Sequence, residues 1–286
     1  GQIDESIESL KKALAIDSNY VDAHYNLANV LKELGRYDEA VRSYEKLIEI
    51  KPDYAEAYNN LGNLYKDLDR KDDAIKSYIK AIETNPQFAH AYNNLGTTLV
   101  DMGRHDEAVE NYKKAIEFDP SFAEAYNNLG NAFKELRQLI DAIKCYKNAL
   151  AINPNFAEAL YNLGSSYKKR NQKEKSLSFF ERAWVLKPEM DFILGDLLTT
   201  LMNFCIWDDY HELFDQLKLK ILNNKKVVHP FNLLGFIDDP YIQQKATKIF
   251  ADYQYPKNFK IPKIKPYDNH SKIRIGYFSA DFHNHA

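Results

Sequence analysis

Asparagine recurs at 34-residue intervals, at Asn26, Asn60, Asn94, Asn128 and Asn162. A period of that length is the mark of stacked helix-turn-helix units, each of which buries its apolar face only against its neighbours. A stack of this kind grows in one dimension, so 286 residues need not be divided among globular domains with separate cores. One polar residue at the same place in every unit also makes a row along one side of the stack.

The complete units run 21–54, 55–88, 89–122, 123–156 and 157–190. Residues 1–20 read as the second helix of an incomplete unit, because Gly1 falls where Gly35 and Gly103 fall later, and the chain is therefore expected to be a piece of a longer array. The first helix of each unit carries a large residue (His24, Tyr58, Tyr92, Tyr126, Leu160), then a leucine (Leu27, Leu61, Leu95, Leu129, Leu163), then a small residue (Ala28, Gly62, Gly96, Gly130, Gly164). Leu31, Tyr65, Leu99, Phe133 and Tyr167 complete an i, i+3, i+4, i+7 stripe, the pattern of an amphipathic helix. The second helix supplies Ala40, Ala74, Ala108, Ala142 and Ser176, followed by Tyr44, Tyr78, Tyr112, Tyr146 and Phe180. Small residues facing small residues, with an aromatic ring filling the remaining gap, give interior packing density. Pro52, Pro86, Pro120, Pro154 and Pro188 stop the second helices.

This register resembles the tetratricopeptide repeat. The resemblance implies an all-α fold, a right-handed superhelix of helix pairs with the first helices lining its inner, concave surface.

A second, polar stripe follows the first helices. It reads Asp22, Tyr25, Asn26, Asn29; Glu56, Asn59, Asn60, Asn63; His90, Asn93, Asn94, Thr97; Glu124, Asn127, Asn128, Asn131; and Glu158, Tyr161, Asn162, Ser165. Amides donate and accept at once, as does the backbone of an extended peptide. The expected ligand is therefore an extended peptide or acceptor protein, held by Asn26, Asn60, Asn94, Asn128 and Asn162 with Asn29, Asn63 and Asn131 beside them. Two other readings stay open: a merely soluble helix face, and asparagines that tie adjacent repeats together. None of these twenty positions is Lys or Arg, which argues against a clamp for chaperone C-terminal carboxylates and towards neutral or basic peptide segments. The run Lys168, Lys169, Arg170, Lys173, Lys175 reads as a solvated turn.

Composition excludes other classes. A net charge of −3 with 28% charged residues does not suggest nucleic-acid binding. No apolar stretch approaches the ~20 residues of a membrane-spanning helix. The two cysteines, Cys145 and Cys205, form no metal pair, and with no secretory signal at the start they suit a reducing, cytoplasmic setting. Nothing in the sequence implies a resident metal or cofactor.

Beyond 190 the register decays. Residues 191–255 are expected to form atypical capping helices: one over 191–203, its partner over 207–222, and one that starts at Asp239-Pro240, with Asp as N-cap and Pro in the first turn. Residues 256–272, with Pro256, Pro262, Pro266 and interspersed lysines, read as an extended linker. The run Ile273-Arg274-Ile275-Gly276-Tyr277-Phe278 reads as the first strand of an α/β domain spanning 273–286 and continuing past Ala286.

That tail, through Ser279-Ala280-Asp281-Phe282 to His285, resembles the opening of the catalytic region of the O-linked N-acetylglucosamine transferases (glycosyltransferase family 41 type). Cys205-Ile206-Trp207-Asp208-Asp209-Tyr210 and Val228-His229-Pro230 resemble segments these enzymes carry between their repeats and their catalytic half. The resemblance implies a protein of bacterial type with a GT-B-like catalytic domain, UDP-GlcNAc or another UDP-sugar as donor, transfer to Ser or Thr without a metal, and a repeat arm that recruits acceptors. His285 matches an active-site histidine of that family. A metal pair of His283 and His285 is the poorer reading, since two ligands alone make a weak site. The piece alone is expected to be inactive. The alternative is a non-enzymatic interaction scaffold.

Overall fold

The computed structural model describes residues 2–206, 210–235 and 237–255. Among them every regular element is a helix. The helices are α1 Gln2–Ile16, α2 Val21–Glu33, α3 Tyr37–Ile50, α4 Ala55–Asp67, α5 Lys71–Thr84, α6 Ala89–Val100, α7 His105–Phe118, α8 Ala123–Glu135, α9 Leu139–Ile152, α10 Ala157–Lys169 and α11 Lys173–Leu186. Then come α12 Ile193–Asn203, α13 Tyr210–Leu222, α14 Pro230–Leu233 and α15 Pro240–Gln254. The pairs α2/α3 through α10/α11 are the five units read from the 34-residue period, and α1 packs on α2 as the second helix that the register requires.

Each unit turns from its first to its second helix on one left-handed residue. These are Gly35 (φ 71°), Asp69 (57°), Gly103 (75°), Arg137 (60°) and Asn171 (57°). The residue after each donates back to a carbonyl five positions earlier: Arg36 N–H to Leu31 O at 2.9 Å, Arg70 to Tyr65 at 2.8 Å, Arg104 to Leu99 at 2.9 Å, Gln138 to Phe133 at 2.8 Å and Gln172 to Tyr167 at 2.9 Å. This arrangement satisfies carbonyls that the helix end leaves open and turns the chain sharply enough to bring the two helices together.

The pairs then close on a notch. A Cβ placed on Gly62, Gly96 or Gly130 would lie 2.6, 2.8 or 2.5 Å from the ring of Tyr78, Tyr112 or Tyr146, and one on Gly164 would lie 2.9 Å from Phe180. The missing side chain is the space the ring occupies. Tyr44, Tyr78, Tyr146 and Phe180 are accordingly fully buried, together with the alanines around them, Ala40, Ala74, Ala108 and Ala142. These residues and the leucine rows make an apolar spine that passes from unit to unit without a central core.

The register does not end with the fifth unit. Cys205 takes a left-handed conformation (φ 54°) 34 residues after Asn171, and Ile206 N–H donates to Leu201 O at 3.1 Å as in the earlier turns. Thus the helix pair expected over 191–222 forms, as α12 and α13, and its turn stays in phase where the sequence reading has the register decay. What changes is the notch: Leu198 replaces glycine and Leu217 replaces alanine, and with Leu194 and Ile221 they pack against Val227, Val228 and Leu233. The connector also completes the start of α12. Phe192 N–H donates to Lys226 O at 2.7 Å and Gly195 N–H to Val227 O at 2.9 Å. Only glycine permits this approach, since a Cβ at 195 would sit 2.7 Å from Val227 O. Asp239 caps α15 as expected, its carboxylate accepting from Tyr241 N–H at 2.9 Å and Ile242 N–H at 3.3 Å. Residues 256–272, read as a linker, residues 273–278, read as a strand, and His285 lie outside the described residues.

Candidate binding groove

The first helices approach one another directly, α4 against α6, α6 against α8 and α8 against α10. The stripe they share is therefore the inner side of the array, and its polar residues are organised by two sets of hydrogen bonds.

One set runs between repeats. The amide nitrogen of Asn94 donates to Oδ1 of Asn59 at 3.0 Å, that of Asn128 to Asn93 at 3.1 Å, and that of Asn162 to Asn127 at 3.0 Å. Asn60 begins the ladder by donating to the Tyr25 hydroxyl at 3.0 Å. At the far end the polarity reverses. Asp196 stands 34 residues after Asn162 and its side chain has no N–H to give, so the Tyr161 hydroxyl donates to Asp196 Oδ2 at 2.8 Å. Lys168 donates to the other carboxylate oxygen at 2.9 Å. Burial, and then the Asp196 carboxylate, push the Tyr161 phenol far above its ordinary value.

The second set lies within repeats. The hydroxyls of Tyr44, Tyr78 and Tyr146 reach past the small residue of the notch to donate to Asn29, Asn63 and Asn131, the last two at 2.8 Å. Tyr112 donates to Thr97 at 3.2 Å, and burial raises its phenol to about 12. In the fifth unit Phe180 stands opposite Ser165, so hydroxyl and amide are absent together.

Of the three readings left open, the tie between repeats has geometric support. The ladder does not use up the amides. Among the described residues, Asn94, Asn128 and Asn162 each give one amide hydrogen and make no hydrogen bond through Oδ1, while Asn29, Asn63 and Asn131 accept through Oδ1 and keep their N–H groups. All six are half-buried, with part of the side chain still facing solvent. Asn26 is exposed. The inner stripe thus offers alternating acceptors and donors on a rigid support.

Sequence reasoning missed a row of lysines. Lys32, Lys66, Lys134 and Lys168 recur at the same period one helical turn beyond Asn29, Asn63, Asn131 and Ser165, so the inner side is not free of cations. Lys32 meets Asp67 and Lys66 meets Asp101, each at 3.4 Å. Lys168, read as part of a solvated turn, is instead bound to Asp196. The 34-residue period could have found this row, as it found the asparagines. Among the described residues no cluster of His, Cys, Asp and Glu could hold a metal ion, and no helix is long and apolar enough to cross a membrane. Both cysteines are free, Cys145 buried and Cys205 exposed.

Comparison with known families follows the repeat register. A family described as TPR repeat matches residues 1–35, 28–69 and 96–137. Two described as tetratricopeptide repeat match 55–88 and 123–156, and 77–110 and 145–178. Among solved structures, the chain is similar to MamA, at 25% identity with a TM-score of 0.52 over 57% of this chain and 95% of that one. It is similar to YrrB, described as a TPR protein with an unusual peptide-binding site, at 25% identity with a TM-score of 0.51 over 64% of this chain and 94% of that one. PilF of Pseudomonas aeruginosa shares the fold at 18% identity, with a TM-score of 0.65 over 88% of this chain and the whole of that one. No curated protein sequence matches the chain.

Proposed function

We propose that this chain, whose residues 1–178 are tetratricopeptide repeats, holds extended polypeptide along the inner face of its first helices. The observation that carries this is the divided use of the asparagines. Each amide fixes its own orientation through one internal bond and leaves the opposite function, Oδ1 or N–H, for a ligand. Preorganised groups cost less to bind with than free ones, and an extended backbone presents complementary N–H and C=O groups at every residue. Each bond adds only ~0.5–1.5 kcal/mol net, so binding is weak per residue and tolerant of sequence. YrrB, a similar tetratricopeptide protein by its description, has a peptide-binding site, which supports the same use of the fold here.

The finer reading makes this groove the recruiting arm of a UDP-sugar-dependent protein O-glycosyltransferase. What supports it is the run Ile275-Gly276-Tyr277-Phe278-Ser279-Ala280-Asp281-Phe282 with His285, together with the asparagine row. On this reading the donor is UDP-GlcNAc or a related UDP-sugar, and His285 belongs to the active site. An interaction scaffold without catalysis remains the competing reading.

Two measurements test these levels separately. For the groove, a fluorescein-labelled peptide of about 20 Ser, Thr and Ala residues is titrated into the wild type and an N63A/N131A variant. Binding weakened severalfold supports the groove, and equal affinity removes it. For the enzyme, the intact protein is incubated with labelled UDP-GlcNAc and a protein acceptor. Transfer supports the transferase, whereas no transfer and no donor binding by calorimetry leave the scaffold.

A further inference from the structure

The lysine row contains one mismatch. Lys32 and Lys66 each meet a carboxylate 35 residues on, Asp67 and Asp101. The same step from Lys134 leads to Lys169, a second cation in the place where the earlier units put an acid. Lys168, the next lysine of the row, is occupied by Asp196 at 2.9 Å. Among the described residues Lys134 and Lys169 make no ion pair and no hydrogen bond. Lys134 is half-buried, and its ammonium is held below the ordinary lysine range, first by burial, with the Glu135 carboxylate opposing the shift and Lys169 adding to it. Leaving a half-buried ammonium unpaired beside a like charge is unfavourable, and an anion placed between the two removes both penalties.

The location points to the occupant. Lys134 lies one turn beyond Asn131 and two turns beyond Asn127, on the stripe that carries the Asn128–Asn93 and Asn162–Asn127 rungs. The chain itself shows which chemistry fits this lysine position, because its own partners for Lys32 and Lys66 are side-chain carboxylates coming from the side of the next repeat. We infer that Lys134 and Lys169 form a subsite for an acidic side chain, Asp or Glu, of a polypeptide whose backbone lies on Asn128 and Asn162. The inference rests on the peptide-groove reading. It gives that groove a charge register, since Asp22, Glu56 and Glu124 line the stripe elsewhere and disfavour acid there.

The probes are two fluorescein-labelled peptides of about 20 Ser, Thr and Ala residues, one with a central Glu-Glu and one with a central Gln-Gln. Fluorescence anisotropy at low ionic strength should show the Glu peptide bound about fivefold tighter, an advantage that salt removes. In K134M/K169Q the advantage should vanish while the Gln peptide binds as before. In K134E/K169E a matching Lys-Lys peptide should be preferred, and K66M should leave the Glu preference intact. Circular dichroism of each variant confirms folding. Equal binding of the Glu and Gln peptides by the wild type, or a Glu preference that survives K134M/K169Q, overturns the subsite while leaving the groove. Failure of both peptides to bind overturns the groove and the subsite with it.

Discussion

The side-chain amide of Asn94 donates to Oδ1 of Asn59, 35 residues earlier in the chain, at 3.0 Å, and Asn59 is buried. The same bond recurs from Asn128 to Asn93 and from Asn162 to Asn127. A solenoid has only nearest-neighbour contacts to resist separation of its repeats. These amides are therefore part of the cohesion between units as well as part of the groove.

Replacing Asn60, Asn94 and Asn128 together by alanine removes three donors and leaves Oδ1 of Asn59 and Asn93 buried without partners. An unsatisfied buried acceptor costs ~1–3 kcal/mol, so a total loss near 3 kcal/mol is expected. Far-ultraviolet circular dichroism at 25 °C should remain native, because the notch packing is untouched, while the thermal midpoint falls by several degrees. An unchanged midpoint would show that the ladder contributes nothing to cohesion.

The notch predicts a graded response at Gly96. A Cβ there would meet the Tyr112 ring at 2.8 Å, yet Ala28 holds the same position opposite Tyr44 in the first unit. One methyl is thus accommodated when the ring shifts, and alanine is favoured over glycine within a helix by ~1 kcal/mol. G96A is expected to lie within ~1 kcal/mol of the wild type by chemical denaturation, whereas G96L overpacks the interface by ~1–3 kcal/mol or more. Equal stability of G96L would refute the notch.

How much of this could be read beforehand depends on where the information lies. The helix pairs were legible because Leu61, Gly62, Ala74 and Tyr78 recur in phase and each type has one packing role. The sixth hairpin was legible as a helix and its partner but not as a unit in phase, because its phase is kept by backbone features, the left-handed Cys205 and the Ile206–Leu201 bond, while Leu198 and Leu217 break the side-chain pattern. The asparagine row was legible as polar, but its division between internal bond and open group depends on side-chain rotamers. The Tyr78 hydroxyl could have been anticipated from Phe180, which stands opposite a serine where the tyrosines stand opposite Asn or Thr.

Arg137 occupies the left-handed turn position that Gly35 and Gly103 hold in other units, at φ 60°. A side chain there costs ~1–2 kcal/mol relative to a residue without a Cβ. R137G should therefore raise stability by ~1 kcal/mol, reduced by the greater freedom of glycine in the unfolded chain. The corresponding G103R should destabilise by a similar amount. A thermal melt in which R137G falls below wild type would contradict the account of the turn.

Asp196 joins the fifth unit to the sixth through Tyr161 at 2.8 Å and Lys168 at 2.9 Å, and its side chain is only 11% exposed. D196A leaves the Tyr161 hydroxyl and the Lys168 ammonium without their partner, a loss of about 2–3 kcal/mol for a partly buried pair. D196N keeps an acceptor for Tyr161 and should retain roughly half. Hydrogen exchange would place the loss in α12 and α13, with α4 through α7 unaffected; uniform loss along the array would exclude a local joint.

Cys145 gives the chain an alkaline limit. Burial pushes its thiol up to about 11, whereas in the unfolded chain it titrates near the ordinary cysteine value of ~8.5. The folded state therefore binds this proton more tightly than the unfolded state. The associated stability is present below pH ~8.5 and is lost as pH rises through about 11, by about 3 kcal/mol at most. Buried tyrosines act in the same direction at higher pH, so the cysteine contribution is the difference between wild type and C145A, measured by urea denaturation from pH 8 to about 11. That difference should shift against the wild type as pH rises. A thiol reagent at pH 8 should react at once with exposed Cys205 and reach Cys145 only in denaturant. Rapid labelling of both thiols in the folded protein would show that the α8–α9 interface opens far more readily than its packing implies.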